Sequence, residues 1–226
     1  LKDLNNDFGW AYRTRHNKGN NHTLLSSAQY GLINYVVWSD VLICPHCGCE
    51  LVYYDVGIDS NTGHKKGQSI ICPTCSYKGK TKNFSRSIEL IYDKALDKTF
   101  QIVKEVPVLI NYSYAGKKFE KEPDEEDFDI LNKINSYEIK EFYPTNEVPS
   151  GFNTNQPRNS HNVINMHLFY TKRSLIAYSK LWAAVNESPD EVRNLLKFWL
   201  QSVSIGFTKM NRYFSSSFSQ VNRYLK

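Results

Sequence analysis

Apolar positions along this chain follow two periods. From Tyr35 to Ile58 the residues are β-branched and aromatic, broken by turn residues at cysteines, a pattern that predicts strands. Val41-Leu42-Ile43 and Ser69-Ile70-Ile71 are strand-like runs, each ending directly before a cysteine pair. Glu105 to Tyr114 reads as another strand, with Pro107 arguing for a sheet edge because proline has no N–H to give to a ladder. Pro123 then opens a helix with Asp124, Glu125, Glu126 and Asp127 in its first turn, where negative charge meets the helix dipole. Phe128, Leu131 and Ile134 form its apolar stripe.

Residues 144–160 are rich in Pro, Asn, Ser and Gly and predict a long loop. Beyond it the period becomes helical. Thr171 is placed to cap a helix carrying Leu175, Tyr178, Leu181, Trp182 and Val185. Ser188-Pro189-Asp190-Glu191 spells a capping box for a second helix, whose Val192, Leu195, Leu196, Trp199 and Val203 read as core. The opening segment, through Asn17-Lys18-Gly19-Asn20-Asn21, reads as an extended arm or loop, and no internal repeat is visible. The fold class expected is α+β: mixed strands with a Cys₄ zinc-ribbon module and a helical, basic C-terminal part. Its expected segments are an arm and connection over 1–37, the ribbon over 38–82, an α/β segment with the acidic helix over 83–150, and a loop plus basic helical segment over 151–226.

The chemistry that stands out is Cys44-Pro-His-Cys47 and Cys72-Pro-Thr-Cys75. Two such pairs, each on a turn after a strand, can close four thiolates into a tetrahedron around one Zn²⁺. A disulfide or redox framework competes with this reading. Against it stand the odd cysteine count, a chain of 226 residues long enough for a real core, and the lack of a secretory signal. Cys49 reads as a spare thiol near the site, since Gly48 suits a tight turn after Cys47. His46 and His64 are not needed as ligands. A closed Cys₄ site leaves no position for water, so the metal would be structural.

The net charge of +5 is unevenly spread. From Gly151 onward there are ten Lys/Arg against three Asp/Glu, a net of +7, which leaves 18 against 20 before it, a net of −2. A polyanionic partner near the C-terminal end is the implication, beside the plain alternative of a solvated charged face. The clusters Tyr170-Thr171-Lys172-Arg173-Ser174 and Thr208-Lys209-Met210-Asn211-Arg212-Tyr213 carry groups that bind phosphate. No Gly-rich phosphate loop, nucleophile elbow, HExxH helix or paired-carboxylate motif is found. His161 and His167 form no specific pattern, and the apolar run Leu32 to Ile43 is too short to span a bilayer.

In this order, Phe8-Gly9-Trp10-Ala11-Tyr12, Asn34-Tyr35-Val36-Val37-Trp38-Ser39-Asp40-Val41, the Cys-Pro-x-Cys-Gly turn, Pro107-Val108-Leu109-Ile110, Lys118-Phe119-Glu120-Lys121-Glu122-Pro123-Asp124, His167-Leu168-Phe169-Tyr170-Thr171-Lys172-Arg173 and Thr208 to Tyr213 run the length of the chain. Together they resemble the central region of bacterial DNA methylases of the N4-cytosine/N6-adenine type, S-adenosylmethionine-dependent enzymes of restriction-modification or related defence systems. The resemblance implies a target-recognition region set between two catalytic halves, with double-stranded DNA as partner and a cytoplasmic location. The family's cofactor glycine motif and its Asp/Asn-Pro-Pro-aromatic motif are missing here, so S-adenosylmethionine belongs to the expected parent only. No catalytic or cofactor residue is carried over. The absence of an initiator Met before Leu1 agrees with a fragment of a longer protein. Lys172, Arg173, Lys209 and Arg212 are then the expected phosphate contacts, with Arg158 a candidate for base contact. Two other readings stand beside it: a zinc-stabilised protein–protein docking module, and an autonomous hydrolase with scattered catalytic residues.

Overall fold

The computed structural model describes residues 2–16, 29–59, 62–214 and 217–221. It is an α+β structure that divides into two compact units, each assembled from three stretches of chain. The first takes Leu1–Val37, Pro107–Phe142 and Lys172–Val203; the second takes Trp38–Val106, Tyr143–Thr171 and Ser204–Lys226. Among the described residues, no helix is long and apolar enough to cross a membrane.

In chain order the elements are α1 (Lys2–Phe8), β1 (Arg13–Arg15), β2 (Tyr30–Ile43), β3 (Glu50–Val52), α2 (Tyr53–Gly57), β4 (Ser69–Ile71), β5 (Lys78–Lys80), β6 (Ser85–Arg86), β7 (Ile88–Asp93), β8 (Lys98–Val103), β9 (Glu105–Tyr114), β10 (Lys117–Lys121), α3 (Glu125–Ser136), α4 (Asn155–His161), α5 (Lys172–Asn186), α6 (Asp190–Val203), β11 (Asn211–Phe214) and β12 (Ser217–Val221). The opening segment is therefore helix, turn and strand and not an extended arm, while residues 17–21 lie outside the described residues.

In the first unit the strand order is β1, β2, β9, β10, with β1 and β10 antiparallel to their neighbours. Ile33, Ile110 and Tyr112 form its sheet core. Gly31 lies where a Cβ would meet the Tyr112 ring at 2.4 Å and the Ser113 carbonyl oxygen at 2.9 Å, so this crossing admits only glycine. Contrary to the edge expectation for Pro107, β9 is an inner strand. Its pairing with β10 runs only from Ile110 to Tyr114, so Pro107 precedes that ladder and its missing N–H breaks no bond to β10.

The acidic run starts α3 as expected. Asp124 is the N-cap, accepting from Asp127 N–H, while the Asp127 carboxylate accepts from Asp124 N–H. Asp127 is buried, and Thr14 Oγ1 donates to its Oδ1 at 2.6 Å. Lys121 bridges both acids, at 2.7 Å from Asp124 and 2.8 Å from Asp127.

The second helix pair departs from its prediction in two ways. Ser188 does not cap α6: its hydroxyl donates to the Val185 carbonyl at 2.6 Å, finishing α5, and the Pro189 carbonyl accepts the first α6 N–H groups. The stripe expected as core is largely exposed. Leu200 is buried, yet Val192, Leu195, Phe198 and Trp199 stay open to solvent. On α5 the buried set is Leu175, Ile176, Ala177, Ser179 and Val185, with Tyr178, Leu181 and Trp182 half-buried.

In the second unit β2 continues into antiparallel pairing with β3 and β6, β4 pairs with β5, and β7 pairs with β8. One core joins Leu42, Leu51, Ile70 and Phe84 to the cysteines, and another joins Phe100, Val163 and Leu168. The stretch expected as an unbroken loop contains α4. Pro157 falls in its first turn, where backbone N–H groups have no helical partner anyway, and Asn162 ends it at φ +56°. The C-terminal part is not wholly helical, since β11 and β12 form a hairpin there.

Candidate metal centre

Both cysteine turns close β-hairpins in the same register: Ile43 pairs with Glu50 around the first, and Ile71 with Lys78 around the second. The backbone hydrogen bonds repeat as well. Cys44 N–H donates to Cys49 C=O and Gly48 N–H to Cys44 C=O, each at 2.9 Å. Cys72 N–H donates to Tyr77 C=O and Ser76 N–H to Cys72 C=O, again each at 2.9 Å. Leu42 and Ile70, two residues before the first cysteine of each turn, anchor the hairpins in one apolar cluster. The chain thus builds one turn twice, which its dissimilar flanking residues conceal.

The two turns bring Cys44, Cys47, Cys72 and Cys75 together, all four Sγ atoms within 4.8 Å of one another. Cys44 Sγ is 3.7 Å from Cys75 Sγ, and Cys47 Sγ is 3.7 Å from Cys72 Sγ. A tetrahedron with metal–sulfur bonds of about 2.3 Å has edges of about 3.8 Å, so the donor set fits a single tetrahedral ion. The environment favours the thiolate at two of the positions, whereas at Cys75 the Tyr77 backbone N–H is outweighed by burial and by the thiols of Cys47, Cys72 and Cys44, which push it up to about 12. The Cys49 backbone N–H and then its thiol lower the Cys47 pKa. Burial works against ionisation of Cys72, but the backbone N–H of Cys75, the Cys49 thiol and the Thr74 N–H outweigh it and bring that thiol to about 6. His46 stacks on Tyr77, and His64 sits in the exposed 62–66 turn; neither belongs to the four-atom set.

The stretch that carries the second cysteine turn is basic. No Asp or Glu occurs between Ser60 and Ile88, a stretch that carries Lys65, Lys66, Lys78, Lys80, Lys82 and Arg86. All five lysines are exposed. Lys66 donates to the Asp55 carbonyl at 2.8 Å, and Arg86 pairs with Asp40 at 2.7 Å. Summing charge over the first 150 residues hides this run, because the acidic start of α3 cancels it.

Other cations expected to meet a polyanion are distributed between the units. Lys172 and Arg173 begin α5 in the first unit, both half-buried. The Arg173 guanidinium lies 5.9 Å over the Tyr12 ring, and burial holds its pKa below the ordinary value, with Tyr12 and Asp127 opposing that shift. In the second unit Lys209 pairs with Glu105 at 2.7 Å. Arg158, on α4, donates to Glu147 at 3.2 Å and to the Val148 carbonyl. The Arg212 side chain lies outside the described residues.

A second cluster in this unit brings together Asp40, Glu105 and His161. Its two carboxylates already face cations, Arg86 on Asp40 and Lys209 on Glu105, and His161 Nε2 is 3.4 Å from Asp40. Burial raises the Asp40 pKa, but His161 and Arg86 more than reverse it and hold the carboxyl below its ordinary value. His167 is buried, with Nε2 at 2.7 Å from Asp93. These pairs join residues far apart in sequence, and no local motif announces them.

Comparison with family models, with curated proteins and with solved structures gives no match.

Proposed function

We propose that this chain is a zinc-stabilised, DNA-binding target-recognition region of an S-adenosylmethionine-dependent DNA methyltransferase acting on adenine N6 or cytosine N4. The observation that carries the DNA-binding part is the acid-free run from Lys65 to Arg86, whose five lysines are all exposed and two of which, Lys78 and Lys80, lie on β5 of the second cysteine hairpin. Rigid hairpins can present cations to successive phosphates at little cost in ordering, and phosphate contacts position a protein on a duplex. Zinc suits four thiolates with tetrahedral edges and would act by holding the two turns together, with no role in the reaction. Reduced thiols of this kind suit a cytoplasmic location.

The methyltransferase part rests on the ordered resemblance along the chain. An enzyme that modifies a base must take it out of the stack. A recognition region would hold the duplex while the catalytic halves of the parent act, and no methyl-transfer residue is assigned within this chain. Lys172, Arg173, Lys209, Arg212 and Arg158 remain candidate contacts, those with acidic partners exchanging them for phosphate.

Binding of the purified chain to labelled duplex DNA across a salt series tests this reading. Each phosphate contact contributes roughly 0.9 to the slope of log K against log salt, so replacing Lys78, Lys80 and Lys82 by Ala should flatten that slope by roughly 2–3. An unchanged slope in a folded triple variant would remove the basic run from the interface. A second reading, a zinc-stabilised docking module, is favoured by one observation: Leu195 and Phe198 on α6 are 68% and 71% exposed. It predicts binding to another subunit and no salt-dependent affinity for DNA.

A further inference from the structure

Cys49 lies at the four-thiol centre without belonging to it. Its Sγ is 3.3 Å from Cys47 Sγ and 3.4 Å from Cys72 Sγ. The fold of the turn does not require a thiol at this position: in the second turn Tyr77 occupies the equivalent place, and its carbonyl accepts from Cys72 N–H as that of Cys49 accepts from Cys44 N–H. Access is graded as well. Cys44 and Cys72 are buried, Cys49 is half-buried, and Cys47 is exposed. A small oxidant arriving from solvent meets Cys47 first, with the fifth thiol already against it.

We propose that Cys47 and Cys49 form a peroxide-sensitive pair that dismantles the metal centre by closing a disulfide. The inference rests on the reading of Cys44, Cys47, Cys72 and Cys75 as a zinc site and concerns the regulation of that site. The oxidant is hydrogen peroxide. The Cys47 sulfur attacks the O–O bond, which breaks; one water leaves and Cys47 becomes a sulfenic acid, its sulfur giving two electrons to the peroxide. The Cys49 sulfur then attacks the Cys47 sulfur. The S–O bond breaks, the S–S bond forms, and a second water departs. In sum, two thiols and one hydrogen peroxide give one disulfide and two waters; where Cys47 starts as a metal thiolate, solvent supplies its proton. The product has lost Cys47 as a ligand, and three thiols no longer close a tetrahedron. A thiol reductant restores the pair and, with zinc present, the centre.

The test uses the full chain with its metal, treated with one equivalent of hydrogen peroxide. Metal release is followed with a chromogenic chelator, and disulfides are mapped by mass spectrometry of unreduced peptides. The expected result is a Cys47–Cys49 peptide appearing in step with metal release, both reversed by reductant and added zinc. In Cys49→Ser the disulfide is absent and release slows by about tenfold, with slower, irreversible oxidation of Cys47. Cys49→Ala, checked for its fold by circular dichroism, should behave the same way. A disulfide that leaves Cys49 free, or a Cys49→Ser protein that loses metal as fast as the parent, would overturn the proposal. If the chain carries no metal, the zinc reading fails on that count alone, and the peptide map still decides whether Cys47 and Cys49 pair.

Discussion

Gly48 and Ser76 occupy the same place in the two cysteine turns, both with positive φ, +74° and +60°. Each N–H closes its turn onto the carbonyl of the first cysteine. Glycine adopts this conformation freely, whereas an L-residue with a Cβ is strained there by about 1–2 kcal/mol. Ser76→Gly should therefore stabilise the protein by up to about 1 kcal/mol, and Gly48→Ala should destabilise it by about the same amount. Urea denaturation midpoints at constant m-value check both signs.

Metal removal acts on the same turns. Cys44 and Cys72 are almost wholly buried within the cluster that includes Leu42, Leu51, Ile70 and Phe84. Cys72→Ser should abolish stoichiometric zinc and unfold the two hairpins locally, because structural metal binding and folding are one equilibrium. Treating the unaltered protein with a strong chelator should give the same loss of amide-exchange protection over residues 42–52 and 69–80. Protection that survives complete metal removal would contradict the coupling.

In the first unit, Lys121 and Asp127 form an ion pair at 2.8 Å with side chains only 7% and 6% exposed. Removing one member leaves the other charge buried, a loss of about 3–5 kcal/mol for such pairs. Lys121→Met should fall in that range, since it also strips Asp124 of its cation. Asp127→Asn should cost less, because an amide oxygen in the place of Oδ2 can still accept from Lys121 and from Asp124 N–H, while the Thr14 hydroxyl can turn to accept from the amide NH2 in the place of Oδ1. Chemical denaturation of the two variants ranks them.

The same cluster sets a dependence on pH. Burial opposes the charge on Asp124, but Lys121 and the Asp127 N–H prevail and hold its carboxyl below the ordinary value of 3.8. Its contribution is complete above that value and fades as pH falls through the lower folded one. Burial likewise opposes the charge on Lys121, yet Asp124 and Asp127 raise its pKa above 10.5. That contribution is complete below 10.5 and is lost as pH climbs through the higher folded value. Stability of the unaltered protein should thus decline at both ends, and Lys121→Met should weaken both limbs, as read from denaturation midpoints between pH 3 and pH 11.

What the sequence revealed followed the range of the interactions. The Cys-Pro-x-Cys pairs were legible because the turn and its thiols are fixed by a few consecutive residues. The start of α3 was legible because Asp124 and Asp127 lie three apart and cap one another. Ser188 misled because its hydroxyl had two local partners to choose from and took the end of α5 instead of the start of α6. The inner position of β9 depended on where β10 stops pairing, which the residues around Pro107 do not encode. The β7–β8 hairpin did carry a signal, the apolar run of Ile88, Leu90, Ile91 and Tyr92 before the turn at Asp93–Asp97, and it pairs over all six residues of each strand. The basic run from Lys65 to Arg86 was legible too, but only at a finer scale than thirds of the chain.

The affinity of the zinc-loaded chain for duplex DNA, measured at about 50 mM and 200 mM salt beside the chelated chain, tests the central claim most directly. A metal-organised basic surface predicts binding that weakens steeply between the two salt concentrations and is largely lost when the metal is removed. Affinity that is absent at low salt with zinc bound and the fold intact, or that is the same with and without the metal, would contradict it.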